Sequence, residues 1–264
     1  MSGIRPEVAA AGRIVVKVGS SSISGANAGR IDGLVDALAA AHARGARVVL
    51  VSSGAIATGL PHLNLDARPA DLATQQAAAA VGQSLLVHRY QESLDRHGIV
   101  AGQVLLTAGD LENPTHRGNA QRAMERLLDL RILPIVNEND TVATQEIRFG
   151  DNDRLAALVA QLVGADLLVL LSDVDALYTR PPGEPGSVPI PFVAHDDELT
   201  GVVVGDIGSA GVGTGGAGTK VAAAQLAAGS GTPVLLASAE RVADALAGVE
   251  LGTWFEASPV DSPA

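Results

Sequence analysis

Short apolar runs alternate with longer helical patterns along most of the chain. Six runs rich in Val, Leu and Ile have the length of buried strands, namely residues 13–18, 47–51, 100–106, 132–136, 167–171 and 233–236. Five helical patterns lie between or after them, namely residues 31–44, 70–96, 117–130, 152–163 and 219–229. Because most of the strands are continuously apolar, we expect burial on both sheet faces. The order predicts an α/β fold, a three-layer αβα sandwich with a largely parallel central sheet.

Small polar residues follow five of the six predicted strands. They occupy residues 19–22, 52–55, 107–110, 137–140 and 172–175. Strand ends generally meet turns, and turns favour such residues, so one of these segments alone carries little weight. In a parallel sheet, however, ligands bind beyond the carboxyl ends of the strands. The five segments together predict a binding site along that edge.

Two loops combine small residues with a lysine, a composition typical of phosphate binding. Lys17 lies near the end of the first strand and precedes Gly19 and three serines, and Lys220 follows a glycine-rich run at residues 211–218. Glycine lets backbone N–H groups approach an anion closely, and a helix N-terminus attracts it. The run contains G-x-G-x-x-G late in the chain, and it lacks the Gly-Lys-Ser/Thr order of a Walker loop. A flexible surface loop is the alternative, which we disfavour because a lysine at a helix start needs a nearby anion.

Amides and carboxylates crowd two further segments, residues 137–140 and 150–153, and an alternating stretch at residues 141–149 predicts a hairpin between them. Such side chains recognise an α-amino group, or hold a lysine and a metal-bound phosphate in register. Helix capping explains one of Asp151 and Asn152 but not the whole set. We therefore predict that the two segments form one polar binding region.

Composition narrows the classes of function. The chain has 264 residues, 47% of them hydrophobic, and a mean hydropathy of +0.26, so it can bury a sizeable core. Aromatic residues make up only 2% and the net charge is −11, which together argue against nucleic acid as a partner. Cysteine is absent, which excludes disulfides, thiolate metal sites and a cysteine nucleophile. The six histidines show no metal-ligand spacing, and there is no G-x-S-x-G elbow, so we predict neither a metal site nor a hydrolase triad.

No segment predicts a secreted or membrane protein. Residues 1–12 lack the apolar core of a signal peptide, and the longest apolar run, residues 165–171, is far too short to cross a bilayer. We expect a cytoplasmic protein with no membrane partner. The pattern predicts one domain over residues 1–257, with a surface excursion at residues 180–191 and a disordered tail at residues 258–264.

Five groups of residues carry a family likeness between about residues 13 and 255. They are VVKVGSS at 15–21, SSGAIA at 52–57, NEND at 137–140 with GDND at 150–153, SDVDALYT at 172–179 and GTGGAGTK at 213–220. Together they resemble the amino acid kinase family. The paired NEND and GDND motifs resemble its glutamate-phosphorylating branch more than the acetylglutamate, aspartate, carbamate or uridylate kinase branches. Serine replaces a common threonine at Ser52 and Ser172, and Ala217 with Gly218 replaces a Met-Ser pair, changes that keep a hydroxyl or a small size.

The resemblance implies a division of labour along the chain. The N-terminal lobe, about residues 1–165, would bind the amino acid, and the C-terminal lobe, about residues 166–257, would bind ATP. The amino-acid positions that it implies are Ser53, Asn137, Asp140, Asp151 and Asn152. The nucleotide positions that it implies are Lys17, Ser172, Asp173, Thr214, Gly215, Gly216, Ala217, Gly218, Thr219 and Lys220. It also implies that Lys17 and Lys220 stabilise the phosphoryl group in transfer and that Asp153 organises the two lysines.

The activity implied by the resemblance is ATP-dependent phosphorylation of the γ-carboxylate of L-glutamate, the first step of proline biosynthesis, with Mg²⁺ bridging the phosphates of ATP. Family members are often inhibited by proline, for which residues 107–119 are candidates, and we expect a homo-oligomer. Many relatives carry a C-terminal RNA-binding-like domain called PUA, and we expect none here because the chain ends too early. Two alternatives stay open, namely a sibling kinase acting on another carboxylate, a carbamate or a nucleotide, and a nucleotide-binding regulator without turnover.

Overall fold

The computed structural model describes residues 3–142, 152–200, 202 and 216–259. The helices are α1 (Pro6–Ala10), α2 (Arg30–Ala43), α3 (Ala55–Gly59), α4 (Leu72–Asp95), α5 (Ala108–Glu112), α6 (Pro114–Asp129), α7 (Asn152–Val163), α8 (Ala217–Ala228) and α9 (Val242–Leu246). The strands are β1 (Arg13–Lys17), β2 (Arg47–Val51), β3 (Ala101–Leu106), β4 (Leu133–Glu138), β5 (Leu167–Ser172), β6 (Leu177–Tyr178), β7 (Pro189–Ile190), β8 (Phe192–Val193), β9 (Val234–Ser238) and β10 (Thr253–Phe255). All six predicted strands and all five predicted helices are present, and their ends coincide with the prediction or differ from it by at most three residues.

Eight of the strands form one sheet in the order β3-β4-β2-β1-β5-β9-β10-β8. Neighbouring strands run parallel, except that β9 and β10 pair antiparallel; this holds for the strands in the described ranges. The register pairs Lys17 of β1 with Val51 of β2 and Leu170 of β5, so the carboxyl ends of the central strands lie at one edge. The prediction of a largely parallel sheet is therefore confirmed.

Alternate residues of the central strands enter two different cores. Val16 and Leu50 pack with α2, α4 and α9 on one face, whereas Val15 and Val49 pack with α6, α7 and α8 on the other. Successive side chains of a strand point to opposite faces, so a strand covered on both sides is apolar at every position. The continuous apolar runs of the sequence have this cause, and the three-layer αβα sandwich is confirmed.

The structure adds elements that the hydrophobic pattern does not reveal. Helices α1, α3, α5 and α9 have only five residues each, too few for a helical period to show. Strand β3 lies at the edge of the sheet and is only partly buried, so it is the exception among the predicted strands. Residues 180–191 are mostly exposed, as predicted, but they return to the body through an antiparallel pairing of β7 with β6.

The two proposed lobes share the sheet. Strands β1 and β2 belong to the first lobe and β5 to the second, and β1 pairs directly with β5. At the C-terminal end the Ser258 N–H donates to the carbonyl of Ala228 at 2.8 Å, so the proposed tail is attached at its first residue. Residues 260–264 lie outside the described part of the chain. None of the helices in the described ranges is long and apolar enough to cross a membrane.

Candidate active site

Two lysines from distant parts of the chain meet on one carboxylate. Lys17 is the last residue of β1, Asp153 is the second residue of α7, and Lys220 lies in the first turn of α8. Lys17 Nζ is 2.5 Å from Asp153 Oδ1, and Lys220 Nζ is 3.0 Å from Asp153 Oδ2. The structure thus brings these three predicted residues together, and their catalytic roles stay a prediction.

All three charged groups of this trio are buried. The exposed fraction is 0% for Asp153, 4% for Lys17 and 7% for Lys220. Burial alone would raise the pKa of Asp153, but attraction to the two ammonium groups outweighs it, so the pKa lies below its ordinary value. Asp153 is therefore ionised at neutral pH. With both lysines as ammonium ions, the trio has one excess positive charge. Its buried surroundings screen charge poorly, so the attraction between the trio and an anion is strong.

The loop after β1 is tied to the loop after β5. Ser21 Oγ donates to Asp173 Oδ2 at 2.8 Å, and Ser22 Oγ donates to Asp173 Oδ1 at 3.0 Å. Asp173, a predicted nucleotide residue, therefore fixes the serine loop that follows Lys17. The predicted Ser172 is buried one position earlier, at the end of β5.

The start of α8 carries the second lysine. Gly216 is the N-cap, so the helix begins at Ala217, two residues earlier than the pattern predicts. Thr219 Oγ1 lies 3.0 Å from the Gly216 carbonyl and 3.2 Å from Asp153 Oδ2. No side-chain hydrogen bond caps this helix within the described residues, which leaves N–H groups of its first turn for an anion. The predicted Gly218 also lies in that turn, whereas Asp151, Thr214 and Gly215 lie outside the described residues.

A buried cluster of amides lies at the ends of β2 and β4 and at the start of α7. Asn152 Nδ2 is 2.9 Å from the Ser52 carbonyl, 2.8 Å from Ser53 Oγ and 3.0 Å from Asn137 Oδ1. Asn137 Nδ2 donates to Gln83 Oε1 at 2.7 Å. Three predicted amino-acid residues, Ser53, Asn137 and Asn152, are therefore in direct contact. Since Asn152 precedes Asp153, the cluster adjoins the lysine trio.

Gln83 is the member of this cluster that the sequence analysis missed. It lies in the middle of α4 and reaches Asn137 because α3 and α4 pack with their backbones in contact. A Cβ on Gly82 would overlap the carbonyl oxygen of Ala55, and one on Gly59 would overlap that of Ala78. Glycine is disfavoured inside helices, so a Gly-Gln pair within an alanine-rich helix is the signal that could have revealed this position.

Two carboxyl groups beside the cluster have raised pKa values. Burial raises the pKa of Glu138 to about 7, with smaller contributions from the charges of Asp140 and Asp110. Burial also raises the pKa of Asp140 to about 6, against an opposing attraction from Arg68. Asp140 is the residue predicted to bind the amino group of the substrate. An ammonium group beside such a carboxylate replaces the hydration that burial removes.

Comparison with known proteins identifies the family. The model of the "Amino acid kinase family" matches residues 12–238. The chain belongs to the amino acid kinase family. It is 76% identical to the glutamate 5-kinase of Clavibacter sepedonicus, over 95% of this chain and 96% of that protein. It is 72% identical to the glutamate 5-kinase of Leifsonia xyli subsp. xyli, over 95% of this chain and 93% of that protein. These matches confirm the family that the motifs resemble. They also confirm its glutamate 5-kinase branch.

A solved structure of another kinase has the same fold. The carbamate kinase from Giardia lamblia bound to AMP-PNP aligns with a TM-score of 0.67, over 94% of this chain and 99% of that one. Its sequence is only 16% identical, so the likeness bears on the fold alone. The amino acid kinase fold expected from the motifs is confirmed by this comparison.

Proposed function

We propose that this amino acid kinase transfers the γ-phosphoryl group of ATP to the γ-carboxylate of L-glutamate, giving γ-glutamyl phosphate and ADP in the first step of proline biosynthesis. One observation carries the proposal, namely the buried contact of Lys17 and Lys220 with the two oxygens of Asp153. Two ammonium groups held together suit a transferring phosphoryl group, whose peripheral oxygens carry the charge. The relatives named glutamate 5-kinase, at 72% and 76% identity, support glutamate as the acceptor.

The reaction requires alignment and charge stabilisation but no general base. The γ-carboxylate is ionised at neutral pH, and one of its oxygens attacks the γ-phosphorus of ATP. The bond from that phosphorus to the β,γ-bridging oxygen breaks, and ADP leaves with the electron pair. Lys17 and Lys220 stabilise the charge on the phosphoryl oxygens, while Asp153 holds both ammonium groups in place.

The amide cluster and Asp140 supply the amino-acid site. Asn152 Oδ1 is a buried acceptor with no hydrogen-bond partner among the described residues, and Asp140 is a largely buried carboxyl group. Both can accept hydrogen bonds from the substrate ammonium group. Ser53 and Asn137 hold the Asn152 amide, which fixes the cluster before the substrate arrives. Asp151, predicted for the same site, belongs to this proposal as well.

The nucleotide is assigned to the loop after β5 and to the start of α8. The residues of this assignment are Lys17, Ser172, Asp173, Thr214, Gly215, Gly216, Ala217, Gly218, Thr219 and Lys220. Within the described ranges, no group of three histidine, aspartate or glutamate side chains is placed to hold a metal ion. We propose that Mg²⁺ is bound through the phosphates of ATP as part of that substrate, and we assign no step to it.

An ATP-dependent hydroxamate assay with L-glutamate tests the proposal. Hydroxylamine traps γ-glutamyl phosphate, so we expect a hydroxamate that requires both ATP and glutamate. In the matched variant Lys220→Met, the charge-stabilising ammonium is lost, and kcat should fall about a hundredfold to a thousandfold. ADP release with aspartate, N-acetylglutamate, carbamate or uridylate but not with glutamate would identify a sibling kinase. Calorimetric ATP binding without any ADP release would identify a regulator.

Three further properties belong to the same proposal. We propose that proline inhibits the enzyme, with residues 107–119 as the candidate region, that the chain forms a homo-oligomer, and that it acts in the cytoplasm. Titration of proline against the initial rate tests the first property, and sedimentation of the active enzyme tests the second. An initial rate that does not respond to proline would remove the inhibitor from the proposal.

A further inference from the structure

Building on the proposed function, we infer that Gln83 is a further substrate-binding residue, whose side-chain amide donates to the α-carboxylate of the amino acid. Gln83 is 8% exposed. Its Oε1 accepts the hydrogen bond from Asn137 Nδ2, at 2.7 Å. Its Nε2 is buried and has no hydrogen-bond partner in the described ranges. A buried amide donor is expensive to leave unpaired, so this atom calls for an acceptor that arrives with a ligand.

The three amides of the cluster form a row with a free group at each end. Asn152 donates to Asn137, and Asn137 donates to Gln83. In such a row each NH₂ group donates to the carbonyl oxygen of the next amide. The first amide therefore keeps its carbonyl oxygen as an acceptor, and the last keeps its NH₂ group as a donor. In this protein these groups are Asn152 Oδ1 and Gln83 Nε2, and both are buried without a partner among the residues that the structure describes. An α-amino acid offers the complementary pair, an ammonium donor and a carboxylate acceptor.

The direction of the row decides which carboxylate Gln83 meets. Asn152 directly precedes Asp153, whose oxygens contact Lys17 and Lys220, so the reacting γ-carboxylate belongs at these lysines, beyond the end of the row where Asn152 Oδ1 accepts from the ammonium group. Gln83 is the member of the row at the other end. An NH₂ group is a hydrogen-bond donor only, so it binds a carboxylate oxygen and not an ammonium group. The acceptor for Gln83 is therefore the carboxylate remote from the phosphoryl group, the α-carboxylate.

Packing fixes the position of Gln83 before any ligand binds. The neighbouring Gly82 lets α4 approach the carbonyl of Ala55 at the start of α3, and Gly59 of α3 lets the same two backbones touch. Such backbone contact leaves the helices little freedom to slide past one another. Gln83 consequently presents its amide without an ordering cost at binding, which favours affinity.

Two substitutions separate the donor from the rest of the side chain. Gln83→Glu keeps an oxygen to accept from Asn137 but loses the donor, and Gln83→Met keeps the length but loses both groups. We expect each variant to raise the KM for glutamate about tenfold to a hundredfold, with the KM for MgATP within about twofold of the wild type. Gln121→Glu and Gln121→Met, on an exposed position of α6, make the same exchanges outside the site and should leave both constants unchanged. A wild-type KM for glutamate in Gln83→Glu would overturn the inference.

A ligand that lacks the α-carboxylate distinguishes contact from general damage to the fold. 4-Aminobutyrate is glutamate without that group, and we expect its inhibition constant to be the same in wild type and Gln83→Met. If inhibition by 4-aminobutyrate weakens as much as the KM for glutamate rises, Gln83 does not act on the α-carboxylate, and the inference fails. A wild-type enzyme without glutamate-dependent hydroxamate would instead refute the proposed function itself, so the two failures are distinguishable.

Discussion

At the scale of single residues, Asp153 shows why buried charges persist in this protein. Removing a carboxylate and two ammonium groups from water costs folding free energy that their mutual attraction only partly returns. Each carboxylate oxygen has its own ammonium partner, and the exposed fraction of the carboxylate is 0%. Such an arrangement is weak evidence for stability. Its effect is to hold two cations at one point, which the chemistry of phosphoryl transfer requires.

The variant Asp153→Asn tests that role. It keeps the size of the side chain but removes the negative charge that Lys17 and Lys220 both contact. We expect kcat to fall at least about a hundredfold and the free energy of unfolding to fall by about 3–5 kcal/mol. The exposed Asp196→Asn is the control and should change neither value. Steady-state kinetics and thermal unfolding measure both effects, and a variant with the kcat of wild type would contradict the role.

The raised pKa of Asp140 predicts how glutamate binding depends on pH. The pKa is raised to about 6, so Asp140 is protonated below that pH and cannot bind an ammonium group as a carboxylate. We expect kcat/KM for glutamate to fall about tenfold from pH 7 to pH 5, because Asp140 is ionised in only about a tenth of the enzyme molecules at pH 5. Asp140→Asn should lose this inflection, and Glu138→Gln should keep it. A profile for wild type that is flat through pH 6 would count against Asp140 as the amine partner.

At the scale of elements, the packing of α3 on α4 links the fold to the site. Gly59 and Gly82 bring the two backbones into contact, and the residue after Gly82 joins the amide cluster. The five-residue α3 also follows Ser53 and Gly54 directly, so its position sets the loop that contacts Asn152. A helix contact outside the lysine trio thereby sets the geometry of the amide cluster that we propose as the amino-acid site.

Gly82→Ala should disturb both stability and substrate binding. The added methyl group overlaps the Ala55 carbonyl, so we expect a loss of about 1–3 kcal/mol in the free energy of unfolding and a higher KM for glutamate. Gly33→Ala is the matched control in α2, where the new methyl group meets no atom within 4 Å. That variant should gain about 0.5–1 kcal/mol through helix propensity. Urea unfolding compares the two, and equal stabilities would contradict the contact between α3 and α4.

At the scale of the whole molecule, one sheet joins the two lobes. β1 lies between β2, which belongs to the same lobe, and β5, which belongs to the other lobe, and it pairs with both. Lys17 therefore ends a strand held by both lobes, and Asp153 lies on a helix that packs against α8. The residues assigned to the amino acid and to ATP are thus fixed to one common framework.

We expect the chain to unfold in one cooperative transition. Trp254, the single tryptophan, is buried on β10 and reports the C-terminal part of the sheet, whereas far-UV circular dichroism reports helices of both lobes. Urea curves from the two signals should have the same midpoint, since the lobes share a sheet. An earlier transition in either signal would show that one lobe melts separately.

The sequence predicted the fold well and the site in part, for identifiable reasons. Strands such as β5 are long, apolar and buried on both faces, so their pattern is unambiguous. The charged residues Lys17, Asp153 and Lys220 lie within recognisable motifs. Gln83 lies inside a helix without a motif, and its contact with Asn137 spans 54 positions, so the Gly-Gln pair marks the position while no local pattern reveals its partner.

Local hydrophobic order by itself determined the layers of this protein, because burial on two sheet faces requires apolar residues at successive positions. The sequence also determined which loops between these layers carry lysines, amides and carboxylates. Only the tertiary structure decided which of these groups touch. Lys17 and Lys220 reach the same carboxylate because β1 ends, and α7 and α8 begin, at one edge of the sheet, and that convergence depends on strand order and helix packing. Contacts between residues far apart in the chain leave no periodic trace in the sequence, and the candidate active site is built from such contacts.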